Sequence, residues 1–128
     1  MKVAVLTSIC GLASNLVDPK KVFNSVDYYA FVDEINQDVK VWNQVQALDF
    51  TLDKKYKGRR NAKIYKALPH LFLPNYDYWF WVDCTHELVM SPEQVIIEHI
   101  RDSQIALWKH TCRNCIFSEA QEVINVNY

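Results

Sequence analysis

The chain has 128 residues, half of them hydrophobic, with 14 basic against 15 acidic side chains and a formal net charge of -1. That length supports one packed core, and with two glycines and four prolines there is no linker-like or low-complexity stretch, so residues 1–128 read as a single α/β domain. The charge balance lacks the basic excess that neutralises a nucleic-acid backbone, and nucleic acid is not an expected partner.

The run Met1–Cys10 carries one positive charge and only a few apolar residues. It is too short for a signal peptide or a membrane span, which points to a cytoplasmic protein. The four cysteines, Cys10, Cys84, Cys112 and Cys115, are accordingly expected as reduced thiols. Val3–Ile9 is β-branched and continuous, the pattern of a buried parallel strand. Asp18-Pro19 has the form of a helix cap followed by proline at the first helical position. Tyr28–Asp33 is a second apolar run ending in an acid, and Val39–Leu48 a third strand.

Arg59–Leu68 has helical spacing and stops at Pro69. Tyr78–Val82 is the strongest strand in the chain, five bulky β-formers with Asp83 directly after them. Its composition predicts a buried central strand, with Trp79 and Trp81 on one face and Phe80 on the other. Ser91-Pro92-Glu93-Gln94 has the form of a capping box opening a helix over Pro92–Arg101. Gln104–Trp108 is a last strand, and Cys115, Ile116, Ala120, Val123 and Ile124 mark one face of a closing helix.

Strands alternating with helices imply a parallel sheet, and in such sheets ligands gather at the carboxyl ends of the strands. The loop after Ile9, Asp33, Asp83 and Lys109-His110 all fall at those ends. Asp83 either holds a divalent cation that neutralises a diphosphate or caps the following loop. Lys57-Gly58-Arg59-Arg60-Asn61-Ala62-Lys63 is the one basic cluster. At a helix start its cations oppose the dipole, which favours a phosphate ligand over a merely solvated face. Cys112-x-x-Cys115 lacks the second ligand pair of a structural zinc site, so no zinc is expected. His70 and His99 read as structural.

Several segments together resemble the TOD/MUCI-type glycosyltransferase-like domain family. They are Arg59–Ile64 with Pro69–Phe72, Tyr76–Tyr78 with Trp81–Asp83, Pro92, Ile105–His110 and Arg113–Ala120. The resemblance runs from Val3 to about Ile124. It implies a GT-A-like, mostly parallel sheet flanked by helices, and sugar transfer from a nucleotide-sugar donor to an unknown acceptor. It places Asp83, His110, Arg113 and Glu119 in the catalytic set, with Asp83 holding Mn2+ or Mg2+. Arg59, Arg60, Lys63 and Lys109 would bind the donor, as would Asp33 from its place at a strand end. The sequence departs from many GT-A enzymes in having Thr85 where a second metal-binding acid is expected. That departure keeps open a non-catalytic nucleotide-binding protein, and a metal-dependent phosphate-ester enzyme using Asp83 and Glu87 is a third reading.

Overall fold

The computed structural model describes residues 1–11, 15–50, 57–108, 111–112 and 115–125, without the side chains of Glu119 and Val123. Strands β1 (Val3–Ile9), β2 (Asp27–Val32), β3 (Asn43–Gln46) and β4 (Tyr78–Trp81) form one sheet in the order β3-β2-β1-β4, every pairing parallel. Helices α1 (Lys57–Ala67) and α2 (Pro69–Phe72) lie in the β3–β4 connection, and α3 (Pro92–His99) and α4 (Ile116–Asn125) follow β4. The α/β class and the parallel sheet expected from the alternating elements are therefore present.

Alternation along β1 sends its side chains to opposite layers. Ala4 and Leu6 pack with Phe31, Tyr65 and Leu73 beneath α1 and α2. Val3 and Val5 pack with Val26, Tyr28 and Ile96 beneath α3. A strand covered on both faces has no polar side to display, which is why the Val3–Ile9 run is continuously apolar until Thr7.

Several local expectations are corrected. Asp18-Pro19 opens no helix; the Asp18 carboxylate instead accepts the backbone N–H groups of Lys40 and Val41, each at 2.8 Å. The carboxylate that caps helices also satisfies a distant turn, and sequence distance does not distinguish the two. The third strand shrinks from Val39–Leu48 to Asn43–Gln46. Ser91 is the N-cap of α3 without a side-chain capping bond, because Glu93 is held by Ser25 at 2.5 Å and by Ser91 Oγ at 3.3 Å. That helix ends at His99, before Arg101, which has φ 47°.

Among the described residues β4 pairs only with β1 and forms one edge of the sheet, each of its four residues half-buried rather than central. Its faces are as expected: Trp79 and Trp81 join the α1 layer and Phe80 the α3 layer. Gln104–Trp108 forms no strand, and Ile105, Leu107 and Trp108 are exposed. A strand exists only where its backbone finds a ladder, and β-propensity alone supplies none. The closing helix is present, with Ile116 and Ile124 of its apolar face exposed. Among the described residues no helix is long and apolar enough to cross a membrane.

Candidate functional site

The chain runs outward from β1 to β2 to β3, then returns across the sheet to place β4 on the other side of β1. The strand order therefore reverses between β1 and β4, the position at which open α/β sheets form a crevice. The register enlarges it. β4 follows β1 only as far as Leu6↔Trp81, while Thr7, Ser8 and Ile9 continue paired to β2 alone.

Both glycines of the chain meet at this edge. Gly11 follows β1 with φ 92°, a conformation that side chains disfavour, and Gly58 sits in the first turn of α1. A Cβ on Gly58 would lie 2.5 Å from the Cys10 carbonyl oxygen and 3.0 Å from Gly11 Cα. Absence of a side chain thus lets the start of α1 touch the end of β1. Gly11 N–H donates to Asp33 Oδ2 at 2.5 Å, and the Gln46 side-chain amide donates to the Asp33 carbonyl. Asp33, expected as a donor-binding acid, lies at this edge with one carboxylate oxygen holding the loop.

The inner face of α1 is Gly58, Asn61 and Tyr65, at helical spacing. Asn61 is buried, accepting from Phe50 N–H at 3.1 Å and donating to Asp49 at 3.2 Å. The Tyr65 hydroxyl accepts Leu48 N–H at 2.7 Å. These bonds tie the connection after β3 to the helix. Asp49 also pairs with Lys57, and that bond holds the Lys57 ammonium above its ordinary pKa. With that face inward, rotation of 100° per residue turns Arg59, Lys63 and Lys66 to one side of the helix, with Lys63 pointing most nearly outward, and turns Arg60 to the opposite flank.

Lys66 shows where the flank leads. Its ammonium lies 3.7 Å from Asp83 Oδ1 and 5.3 Å from the centre of the Trp81 ring. Trp81 Nε1–H donates to the same Asp83 oxygen at 2.7 Å. Asp83 is half exposed at the end of β4, so this pair is individually weak in energy. Its value lies in position: a row of cations ends at a carboxylate on the sheet edge. Lys66 was missed by sequence reasoning, although its spacing from Arg59 and Lys63, seven and three residues, was legible. Gly58 was missed too, and the signal was the rarity of glycine in this chain.

A hard divalent cation can be held by one carboxylate together with substrate phosphates, and Asp83 fits that mode through Oδ2. Its neighbours add little. Glu87 pairs with Lys20 at 2.9 Å, and the Thr85 hydroxyl bonds His86 at 3.2 Å. Among the described residues no group of three or more His, Cys, Asp or Glu side chains could hold a metal by itself. Lys109, His110 and Arg113 lie outside the described residues, as does the side chain of Glu119. Cys112 and Cys115 are exposed, and backbone N–H groups of Ser118 and Phe117 hold the Cys115 thiol below its ordinary pKa.

Burial raises the Cys10 thiol above its ordinary value of 9.0, against a lowering bond from Ser8, and the negative charge of Asp33 adds to the rise. Burial raises Tyr65 above 10.0 likewise. An acid whose folded pKa is raised keeps its proton longer folded than unfolded. Its contribution is full below the unfolded pKa and is lost as pH climbs toward the folded one. Stability should therefore fall as pH rises above the ordinary thiol value of 9.0, and Cys10→Ala should flatten part of that fall. Urea midpoints measured above that value check it; a midpoint rising with pH would contradict the assignment.

Fold and site together define an α/β domain with a crevice at the sheet edge where its strand order reverses. Residues 1–128 match the family described as TOD1/MUCI70, glycosyltransferase-like domain, and the chain belongs to that family. It is similar to the probable hexosyltransferase MUCI70 of Arabidopsis thaliana, at 30% identity over 112 residues. That similarity covers 76% of this chain and 19% of the relative, so the chain spans a small part of the relative's length. No solved structure matches the chain. The resemblance to the TOD/MUCI-type family is thus borne out, and the glycosyltransferase-like class stands at family level.

Proposed function

We propose that this domain binds a nucleotide-sugar donor at the carboxyl edge of its sheet and transfers the sugar to an acceptor. The observation that carries the reading is the cationic flank Arg59–Lys63–Lys66 ending 3.7 Å from Asp83. In such a transfer the bond between the anomeric carbon and the phosphate oxygen breaks. The electron pair leaves with the nucleoside diphosphate, and the anomeric carbon bonds to an acceptor hydroxyl, which loses its proton. The protein's main task is to stabilise the charge growing on the diphosphate, and preset cations do this without reorganising. Arg59, Lys63 and Lys66 are assigned that role, with Asp33 and Lys109 as further donor contacts. His110, Arg113 and Glu119 are assigned to the reacting sugar by their place in the family's closing motif. A divalent cation held by Asp83 and the donor phosphates supplies additional neutralising charge when bound.

Calorimetric titration with nucleotide sugars and with inorganic diphosphate, with manganese or with a chelator, tests this. Lys66→Gln should weaken binding of both about tenfold, the loss of one charge-assisted bond. Arg60→Gln, on the opposite flank of α1, should weaken it less. Asp83→Asn should remove the gain that manganese gives and leave the rest. Unchanged affinity in Lys66→Gln and in an Arg59→Gln, Lys63→Gln double variant would remove the proposed diphosphate site.

A further inference from the structure

The Cys112-x-x-Cys115 pair has no part in the donor reading. Both cysteines are reduced and exposed, and Cys115 directly precedes α4, the ten-residue helix Ile116–Asn125. A residue in that position is the N-cap, whose side-chain acceptor takes up first-turn N–H groups that have no partner within the helix. Here the acceptor is sulfur: the backbone N–H groups of Ser118 and Phe117 donate to Cys115 Sγ, and the Ser118 side chain adds a further bond. A thiolate accepts such bonds better than a thiol does, and the positive end of the helix dipole adds to the preference. Cys115 therefore gives up its proton more readily than an ordinary thiol.

Cys10 and Cys84 have a different setting. Cys10 is half-buried at the end of β1, where burial and the Asp33 charge favour the protonated thiol. Cys84 is half-buried beyond the end of β4. Ile116 and Phe117, beside Cys115, are 74% and 81% exposed, so a reagent reaches this sulfur without any opening of the fold. Cys112 supplies a second thiol three residues away. A tight turn holds its ends within about 7 Å, and a disulfide spans about 4.4–6.8 Å between Cα atoms, so this spacing permits a direct bond. Each unit by which a thiol pKa falls toward neutral raises the thiolate fraction about tenfold and lowers its nucleophilicity only about threefold. The net effect is a faster attacking group.

We infer that Cys112 and Cys115 form a thiol–disulfide exchange site whose substrates are small-molecule disulfides. The Cys115 thiolate attacks one sulfur of the reagent; the reagent S–S bond breaks, and one thiolate leaves and takes up a proton. Cys112, its proton lost to solvent, then attacks Cys115 Sγ. The mixed disulfide breaks, the second small thiolate leaves, and a Cys112–Cys115 bond closes. Two protein thiols are oxidised to one disulfide, and one small disulfide is reduced to two thiols. The site stands independently of the donor reading, since neither sulfur is assigned to the donor.

The test treats the reduced full chain with oxidised glutathione at neutral pH, quenches with N-ethylmaleimide and reads the peptides by mass spectrometry. Cys112 and Cys115 should be recovered bonded to each other, with Cys10 and Cys84 alkylated, and dithiothreitol should restore both thiols. Cys112→Ser removes the resolving thiol and should stop the reaction at a glutathione adduct on Cys115. In Cys115→Ser the adduct on Cys112 should form about tenfold more slowly than that. Ser118→Pro deletes one donating N–H within the first turn, where a helix tolerates proline, and should slow Cys115 about threefold. Both serine changes fall on exposed side chains, so melting curves should match the parent. Ring closure is read on the parent alone and depends on no variant. Equal adduct rates in the two serine variants would overturn the inference. Adducts or disulfide-linked dimers of the parent without the internal bond would overturn it too, as would a parent whose thiols all remain alkylated.

Discussion

Tyr65→Ala is expected to cost about 3–5 kcal/mol of stability, the range for truncating a large buried aromatic side chain. Tyr65 is 1% exposed and sits where α1 and α2 meet the sheet. Its ring stacks on Phe31 with centroids 4.0 Å apart and planes 12° apart. Phe72 and Phe50 close on it at 4.7 and 6.0 Å. Alanine would remove the buried ring area, leave a cavity among three aromatic side chains, and strand the Leu48 N–H that Tyr65 accepts at 2.7 Å. Domains of this size have total stabilities of about 5–15 kcal/mol, so the variant would be near or beyond its folding limit. Tyr65→Phe keeps the ring and loses only the acceptor, so it should cost about 1–2 kcal/mol. Urea unfolding followed by circular dichroism separates the two. A loss under about 1 kcal/mol for the alanine variant would mean that α1 does not pack on β1 as described.

Gly58→Ala is the second large effect, and its sign runs against local propensity. In an exposed helix this change would add about 1 kcal/mol of stability. Here the new methyl group would stand 2.5 Å from the Cys10 carbonyl oxygen and 2.9 Å from its carbonyl carbon. Both are backbone atoms on the end of a central strand, so neither can swing aside as a side-chain tip would. The helix start must lift from the sheet edge, and we expect a net loss of about 2–3 kcal/mol. Donor affinity should fall with it, because Arg59 moves with the helix and the Gly11–Asp33 bond lies directly beneath. Gly11→Ala is the control. Space around Gly11 is ordinary, with Gly58 Cα at 3.7 Å, so only its φ of 92° should count, costing about 1–2 kcal/mol. Paired denaturant curves should rank Gly58→Ala as the worse of the two. A Gly58→Ala protein more stable than the parent would show that this contact is absent in solution.

Taken by itself, the sequence determined the kind of fold and the edge of the sheet where Asp33 and Asp83 lie. Continuous apolar runs at Val3–Ile9, Tyr28–Val32 and Tyr78–Val82 with helical spacing between them leave few arrangements besides a parallel sheet, because each run must be covered on two faces. Acids directly after two of those runs then place Asp33 and Asp83 at the carboxyl edge, and the order of motifs gives the family. Strand neighbours, register and the occupancy of each polar group were decided only by tertiary structure. Tyr78–Trp81 reads as central yet lies at an edge, since hydrophobicity reports burial and not which strand is adjacent. Ile105–Trp108 has strand composition but no ladder to join among the described residues. Asp18 carries a helix-cap signal and serves a turn more than twenty residues away in sequence. Lys66 and Gly58 acquire their roles from distances of a few ångströms between segments far apart in the chain. Such contacts leave no local pattern, because the energy that selects them comes from packing the whole sheet edge at once.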